Sequence, residues 1–331
     1  MRFSGALAAL AMSVSLMGGE AAAQEFVLKF GHGASSTTQF HTGVEMFAAA
    51  VAEKTGGRVK IEVYGDRQLG DDRPLLEGVQ LGTIDGALVS SAVVGLALGI
   101  DAFDALQLPF QTDSYEIYGK ALTSQAGRDI LATLDDVDVV GLGFVEAGQR
   151  HFLSATRLVE KLDDFVGLKT RIVPLPLHQA VWNAMGVNTI GMAYGEVFSA
   201  LETHTIDAVE SNLASILGES LYEAAKNLTL TGHYFWPGVL MISKTRLESL
   251  PEDIQAVLLE QGIATTIAHY ELAAGLDGDN IAALEKAGVT VRRFEDIDGM
   301  RAKVAPIVEE WVNKGPLIKA FNDEIVRLRG E

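Results

Sequence analysis

The chain of 331 residues contains no cysteine. That excludes disulfides, thiol nucleophiles and thiolate metal sites. It also removes the lipid-attachment cysteine that would tether an exported bacterial protein to a membrane. No apolar run beyond the N-terminus reaches the roughly 18 residues of a membrane span, because charges interrupt each one. Direct membrane insertion is therefore not expected. Basic residues are scarce: 26 Lys and Arg face 44 Asp and Glu, leaving a net charge of −18. Such a surface repels nucleic acid and anionic membrane. It also repels an anionic ligand at long range, so any anion site must rest on local cations. Enzyme signatures are missing as well. Gly141-Leu-Gly143-Phe-Val-Glu-Ala-Gly148 departs from the dinucleotide pattern, and nothing matches G-x-S-x-G or a phosphate-binding loop. His32, His41 and His151 lack metal-ligand spacing, and His32 reads better as polar cleft lining. No catalysis, metal or cofactor is expected.

What is present begins with an export signal. Met1-Arg-Phe carries one positive charge, and Ala6 to Met17 is apolar but too short to span a bilayer. Gly18 to Ala23 is rich in small residues, with Ala21 and Ala23 forming an A-x-A cleavage site before Gln24. Residues 1–23 are expected to be removed, with the product free in the periplasm. The remainder, Gln24 to Glu331, is large for one core and natural for two domains.

Strands and helices then alternate. Phe26 to Phe30 reads as a strand, and Phe40, Val44, Phe47 and Val51 recur at helical spacing. Val59 to Tyr64 alternates as a second strand, followed by a helix from Pro74 to Leu81 and a strand at Ala87 to Ser90. This alternation predicts a parallel α/β sheet with ligand sites at strand ends. The apolar strand Val139 to Phe144 leads into Val145 to Gly148, a crossing to a second α/β unit. That unit holds a strand at Leu168 to Val173, a helix at His178 to Met185 and a strand at Asp207 to Val209. The chain breaks again at Trp236-Pro237-Gly238 before the strand Val239 to Ser243. Ser249-Leu-Pro-Glu252 has the form of a capping box, opening a helical pattern that runs to Lys286 with glycines at 262, 275 and 278. Unbroken, that helix would extend about 55 Å, with the three glycines as places where it can kink or split.

Two arginines stand out. Arg171, in Gly167-Leu-Lys-Thr-Arg171-Ile-Val, falls at a strand end, and Arg150, in Gly148-Gln-Arg150-His-Phe, falls at the crossing. A guanidinium is always charged, and its planar fork can hold a carboxylate bidentately. The alternatives are a surface ion pair for Arg171 and a hinge salt bridge for Arg150. Asp71-Asp72-Arg73 suits a helix start, and one carboxylate there can accept ligand hydroxyls.

At these residues the chain resembles the substrate-binding proteins of TRAP transporters, the DctP-like family. The markers are Phe30-Gly-His, Thr55-Gly-Gly-Arg-Val-Lys-Ile-Glu-Val-Tyr64, Gln68-Leu-Gly70-Asp-Asp-Arg73, Leu108-Pro-Phe110, Gly167 to Arg171, Tyr194-Gly-Glu-Val-Phe-Ser-Ala-Leu201 and Ile206-Asp-Ala-Val-Glu210. Their order and spacing are specific together, and they cover essentially all of the chain after the signal.

The resemblance implies a two-lobed α/β periplasmic binding protein fold with hinge strands and a long helix bracing both lobes. The first lobe is expected from 24–147 and 235–272, the second from 148–234 and 273–331. It further implies a ligand carboxylate on Arg171, helped by Arg150, with Tyr194 packing on the ligand. An amide comes from the family element matched by Asp207 to Ser211, with Asn212 next. Here Ala208 and Ser211 replace the family's glycine and asparagine, leaving Ser211 or Asn212 for that role. Asp72 matches a ligand-contacting aspartate, and His233 matches a histidine that orders cleft water with Glu210. Ser90 and Gly33 stand where sialic-acid-binding relatives carry a glutamate and an asparagine, so sialic acid is not expected. From the first lobe, Gln39, Asp72, Ser90 and His32 are expected to close on the ligand.

The function this implies is a periplasmic receptor for a small organic acid, a sugar acid or dicarboxylate among the candidates. Its partners are that carboxylate and the integral membrane subunits of a TRAP transporter. The receptor of an ATP-driven importer, a periplasmic sensor module and an exported enzyme stay open as other readings.

Overall fold

The computed structural model describes residues 24–330. The export signal expected over residues 1–23 lies outside them. The strands are, in chain order, β1 (Phe26–His32), β2 (Val59–Tyr64), β3 (Gly86–Ser90), β4 (Val139–Glu146), β5 (Arg150–Ser154) and β6 (Lys169–Ile172). After these come β7 (Asn188–Gly191), β8 (Ala208–Asn212), β9 (Asn227–Leu230), β10 (Pro237–Ser243) and β11 (Thr290–Arg293). They form two sheets, one of order β2-β1-β3-β10-β4 and one of order β11-β9-β5-β8-β6-β7. Each sheet, with its helices, makes one lobe.

Neither sheet is wholly parallel, which corrects the expectation from the alternating pattern. β1 pairs in parallel with β2 and β3, as helical crossovers require. β10 runs antiparallel to both β3 and β4, and β5 antiparallel to β8 and β9. Both odd strands enter directly from the other lobe, with no helix to reverse the chain.

Helix α1 (Gln39–Lys54) buries Phe40, Val44, Phe47 and Val51, the stripe that the spacing predicts. Phe47 meets Phe30 of β1 at 5.7 Å between ring centroids. Removing so large a buried ring typically costs about 3–5 kcal/mol. Helix α2 (Asp72–Gln80) starts on an Asp71 cap that accepts from the Asp72 backbone amide. Helix α3 (Ser91–Leu98) follows β3 without a loop. In the second lobe Phe152, Phe165 and Trp182 pack ring on ring under the sheet.

Three helical expectations change. The capping box is not formed: Ser249 Oγ donates to the Arg246 carbonyl (2.6 Å), closing the preceding turn. Pro251 occupies the N-cap instead, and Pro251 has no side-chain donor or acceptor to offer. The long helix is two helices, Glu252–Ala273 and Asp277–Lys286, separated at Gly275. The first lies on β4, α1 and the helix Tyr115–Thr123, and the second on the helix Leu213–Gly218. Bracing of the two lobes thus falls to a bent pair, each member serving one lobe. Gly262 does not bend its helix; it lets the helix settle on β4, where a Cβ would stand 2.2 Å from the Leu142 carbonyl oxygen. Finally, the helix Pro316–Arg329, expected with the second lobe, packs on the helices Tyr115–Thr123 and Gln125–Ala132 of the first. Its buried Ile318, Phe321 and Ile325 supply the reason, since they face that apolar surface.

Candidate functional site

The chain crosses between lobes at 147–149 and again at 231–236. The crossings bond to one another: Ala147 N donates to Trp236 O (3.1 Å), and Arg150 N donates to Tyr234 O (2.8 Å). One carboxylate ties them. Glu146, fully buried at the end of β4, accepts from Gly148 N and Trp236 N, each at 2.8 Å. It also accepts from Tyr270 OH at 2.5 Å. Burial outweighs these donors and pushes its pKa up to about 7. Gly148 makes the turn with φ +106, a conformation that favours glycine. Nothing in the sequence singled out Glu146, because Trp236 and Tyr270 reach it from two distant segments.

Beside this hinge a cavity of about 290 Å³ opens between the lobes. From the second lobe it is lined by Arg150, Arg171, Tyr194 and Asn212, and from the first by Asp72 and Ser90. Six of the residues expected from the sequence therefore come together.

Arg171 projects from β6 and is only 4% exposed. Its Nε and Nη2 donate to the Met192 carbonyl oxygen at 3.2 and 2.9 Å, which fixes the plane of the fork. Among the described residues no carboxylate pairs with it. Burial, reinforced by the Arg150 charge, brings its pKa down to about 10, so it remains a cation at neutral pH. Two of its five donors are used, and the side chain lines the cavity.

Arg150 differs in kind. Its Nε donates to Glu210 Oε2 and its Nη2 to the Glu210 carbonyl. Its guanidinium lies 3.9 Å from the centre of the Trp236 ring. The hinge salt bridge foreseen as an alternative is thus present, and Arg150 forms cavity wall at the same time. For Glu210, burial raises the pKa, but the Arg150 charge and a hydrogen bond from His233 prevail and hold it at about 2.

The remaining expected residues stand behind the wall. His233 bridges Thr231 Oγ1 (2.7 Å) and Glu210 (3.5 Å), and burial lowers its pKa. Strand alternation separates Ser211 from Asn212. Asn212 lines the cavity while its Oδ1 accepts from Ser215 N at 2.8 Å, and Ser211 pairs in register with His151 away from it. His32 bonds to His41 at 2.9 Å, and burial brings its pKa down to about 4. Gln39 is buried beside Gly148 of the hinge. Neither His32 nor Gln39 lines the cavity.

The mouth is closed by contacts that sequence reading missed. Arg67 Nη1 donates to Glu219 Oε2 at 3.0 Å, and Glu219 Oε1 accepts from Ser35 N at 3.0 Å. Gly195 N donates to Asp71 Oδ2 at 3.3 Å. The Arg67 guanidinium also sits 5.0 Å over the Tyr194 ring. All four contacts run from one lobe to the other. Their traces in the sequence are the Gln68 to Arg73 marker, which holds Asp71 and adjoins Arg67, and the Tyr194 to Leu201 marker, which holds Tyr194 and Gly195.

Comparison with known proteins gives this arrangement its context. The family model described as bacterial extracellular solute-binding protein, family 7 (DctP), matches residues 30–314. The C4-dicarboxylate-binding periplasmic protein DctP of Rhodobacter capsulatus is 30% identical over 290 residues, covering 87% of this chain and 86% of that one. The sugar acid binding protein DctPAm of Advenella mimigardefordensis strain DPN7T, solved with galactonate, superposes with a TM-score of 0.85 at 27% identity, covering 91% of this chain and 98% of the other. A TRAP periplasmic solute-binding protein from Polaromonas sp. JS666, bound to D-erythronate, gives a TM-score of 0.83 at 27% identity, covering 90% and 98%. Two sheets joined by hinge strands, with a buried arginine between them, are thus set in a known scaffold. The chain belongs to the DctP family of bacterial extracellular solute-binding proteins, the binding-protein components of TRAP transporters.

Proposed function

We propose that this chain is a periplasmic receptor, exported through a cleaved signal over residues 1–23, that captures a small carboxylate between its lobes. It then delivers the anion to the integral membrane subunits of a TRAP transporter. The observation that carries the reading is Arg171: a buried guanidinium, held rigid by a backbone carbonyl, with which no carboxylate pairs among the described residues. Leaving a buried charge uncompensated is costly, and an incoming carboxylate removes that cost. Relatives that bind C4-dicarboxylates, galactonate and erythronate support an organic acid as the ligand.

In this reading the ligand carboxylate takes the open edge of the Arg171 fork. Arg150, Tyr194 and Asn212 complete the second-lobe side, with Arg150 kept in place by Glu210, His233 and Trp236. Closure brings Asp72 and Ser90 to the other end. Gln39 and His32 act at the hinge and in the first-lobe core, and Ser211 packs behind the sheet. A ligand touching both lobes favours closure through its differential affinity alone.

Arg171→Ala is expected to weaken binding by at least about 2 kcal/mol, roughly 30-fold. Arg171→Lys should fail nearly as badly, because a point charge cannot reproduce the fork. A thermal-shift screen of organic acids and their neutral analogues on Gln24 to Glu331 checks this, since stabilisation follows RT ln(1 + [L]/Kd). An acid that stabilises both the wild type and Arg171→Ala equally would remove Arg171 as the anchor.

A further inference from the structure

The first-lobe wall of the cleft is built differently from its second-lobe wall. β3 ends at Ser90 and continues as α3, which after Ser91 holds only aliphatic residues and glycine. Val93, Leu96 and Ala97 stand at i, i+3 and i+4, one face of a helix, and that face lines the cavity. Leu96 is 39% exposed, a large aliphatic side chain left uncovered by the chain itself. Phe40 and Pro74 extend the apolar wall, and Val173, Pro174 and Met192 face it from the second lobe.

Several polar groups around the cavity are already engaged, while on the second-lobe side the buried Tyr194 hydroxyl has no hydrogen-bond partner among the described residues. Asp71 accepts from Asp72 N and Gly195 N, and Asn212 Oδ1 from Ser215 N. Arg73 is exposed and pairs with Glu77 at 3.3 Å. Two groups on the first-lobe side remain: the buried Ser90 hydroxyl, which meets hydrogen-bond geometry with none of the described residues, and the neighbouring Asp72 carboxyl, which takes Ser90 N through Oδ2. Asp71 and Asp72 together also oppose a second anionic group at that end.

Resting on the receptor reading above, we propose that the cleft selects monocarboxylates with a hydrocarbon body and a single hydroxyl. The acid lies on Arg171, the hydroxyl bonds to Ser90 and Asp72, and the hydrocarbon lies on Val93, Leu96 and Ala97. A polyhydroxylated acid of similar size would bury several hydroxyls against these side chains with nothing to bond, an uncompensated desolvation that sites of this kind reject. A dicarboxylate would set its second charge against the two aspartates.

Calorimetry on Gln24 to Glu331 with four probes tests this: 2-hydroxy-4-methylpentanoate, its amide, D-gluconate and succinate. The hydroxy-methylpentanoate is expected to bind at least about tenfold more tightly than gluconate or succinate, and the amide not to bind. Leu96→Asn should weaken the hydrocarbon acid by about tenfold and narrow the gap to gluconate. If that variant proves unfolded by circular dichroism, Leu96→Ala replaces it, with the same loss expected. Gluconate or succinate binding as tightly as the hydrocarbon acid, or a Leu96 variant with unchanged preference, overturns the selectivity and leaves the receptor reading intact. No binding by any acid, or equal binding of acid and amide, overturns both.

Discussion

Arg171 and Arg150 show what one side chain's surroundings decide. Both were visible in the sequence as strand-end arginines, and both reach the same cavity. Their partners were not visible, because Met192, Glu210 and Trp236 arrive from elsewhere in the fold. Arg150 is neutralised by Glu210, whereas Arg171 is held by a neutral carbonyl. Removing Glu210 would strand the Arg150 charge, so Glu210→Ala should destabilise the protein by about 3–5 kcal/mol in urea titration. The pH dependence follows from the same pair. Glu210 is held at about 2, below the ordinary 4.5, so its contribution is present above pH 4.5 and is lost as pH falls toward 2. Acid unfolding of the wild type should accordingly be steep in that window. The choice between Ser211 and Asn212 illustrates the opposite limit. Neighbours on a strand face opposite sides, and only the partner register says which side holds the cleft.

At the scale of elements, the strands and the first helices lay close to their predicted places because periodicity is local. The errors had two causes: beside Glu252 the local Pro251 takes the cap while Ser249 bonds back to Arg246, and the helix Pro316–Arg329 is drawn to a distant apolar surface of the first lobe. The hinge is the element with the sharpest consequence. Glu146 has a folded pKa raised to about 7 against an ordinary 4.5. Its contribution to stability is therefore full below pH 4.5 and disappears as pH rises through 7. Glu146→Gln keeps an acceptor for Gly148 N and Trp236 N but no longer titrates. Thermal unfolding from about pH 5 to pH 8 should show the wild type losing stability while the variant stays flatter. Identical slopes would mean that the hinge carboxyl stays charged throughout.

The whole molecule is two lobes drawn together across their mouth. Arg67 and Glu219, each partly exposed, contribute about 1 kcal/mol as an ion pair, enough to shift an open-to-closed ratio about fivefold. Arg67→Ala should raise the radius of gyration of the free protein in X-ray scattering and weaken ligand binding by a similar factor. An unchanged radius would assign closure to the hinge alone. The net charge of −18 acts on the approach. An anion must cross a repulsive field before it reaches Arg171, so its association rate should rise with added salt while charges inside the cleft are screened less. The connectivity has a consequence for how such a molecule is made. β10 lies between β3 and β4, yet it follows them only after most of the second sheet has been synthesised. Until then two strand edges of the first lobe wait without partners, and the helix Pro316–Arg329 that covers this lobe comes later still. Every cleft residue therefore precedes the segments that make the first lobe whole. A nascent chain that stalls late would carry a complete set of ligand contacts on an unfinished body, exposed to pairing with its neighbours.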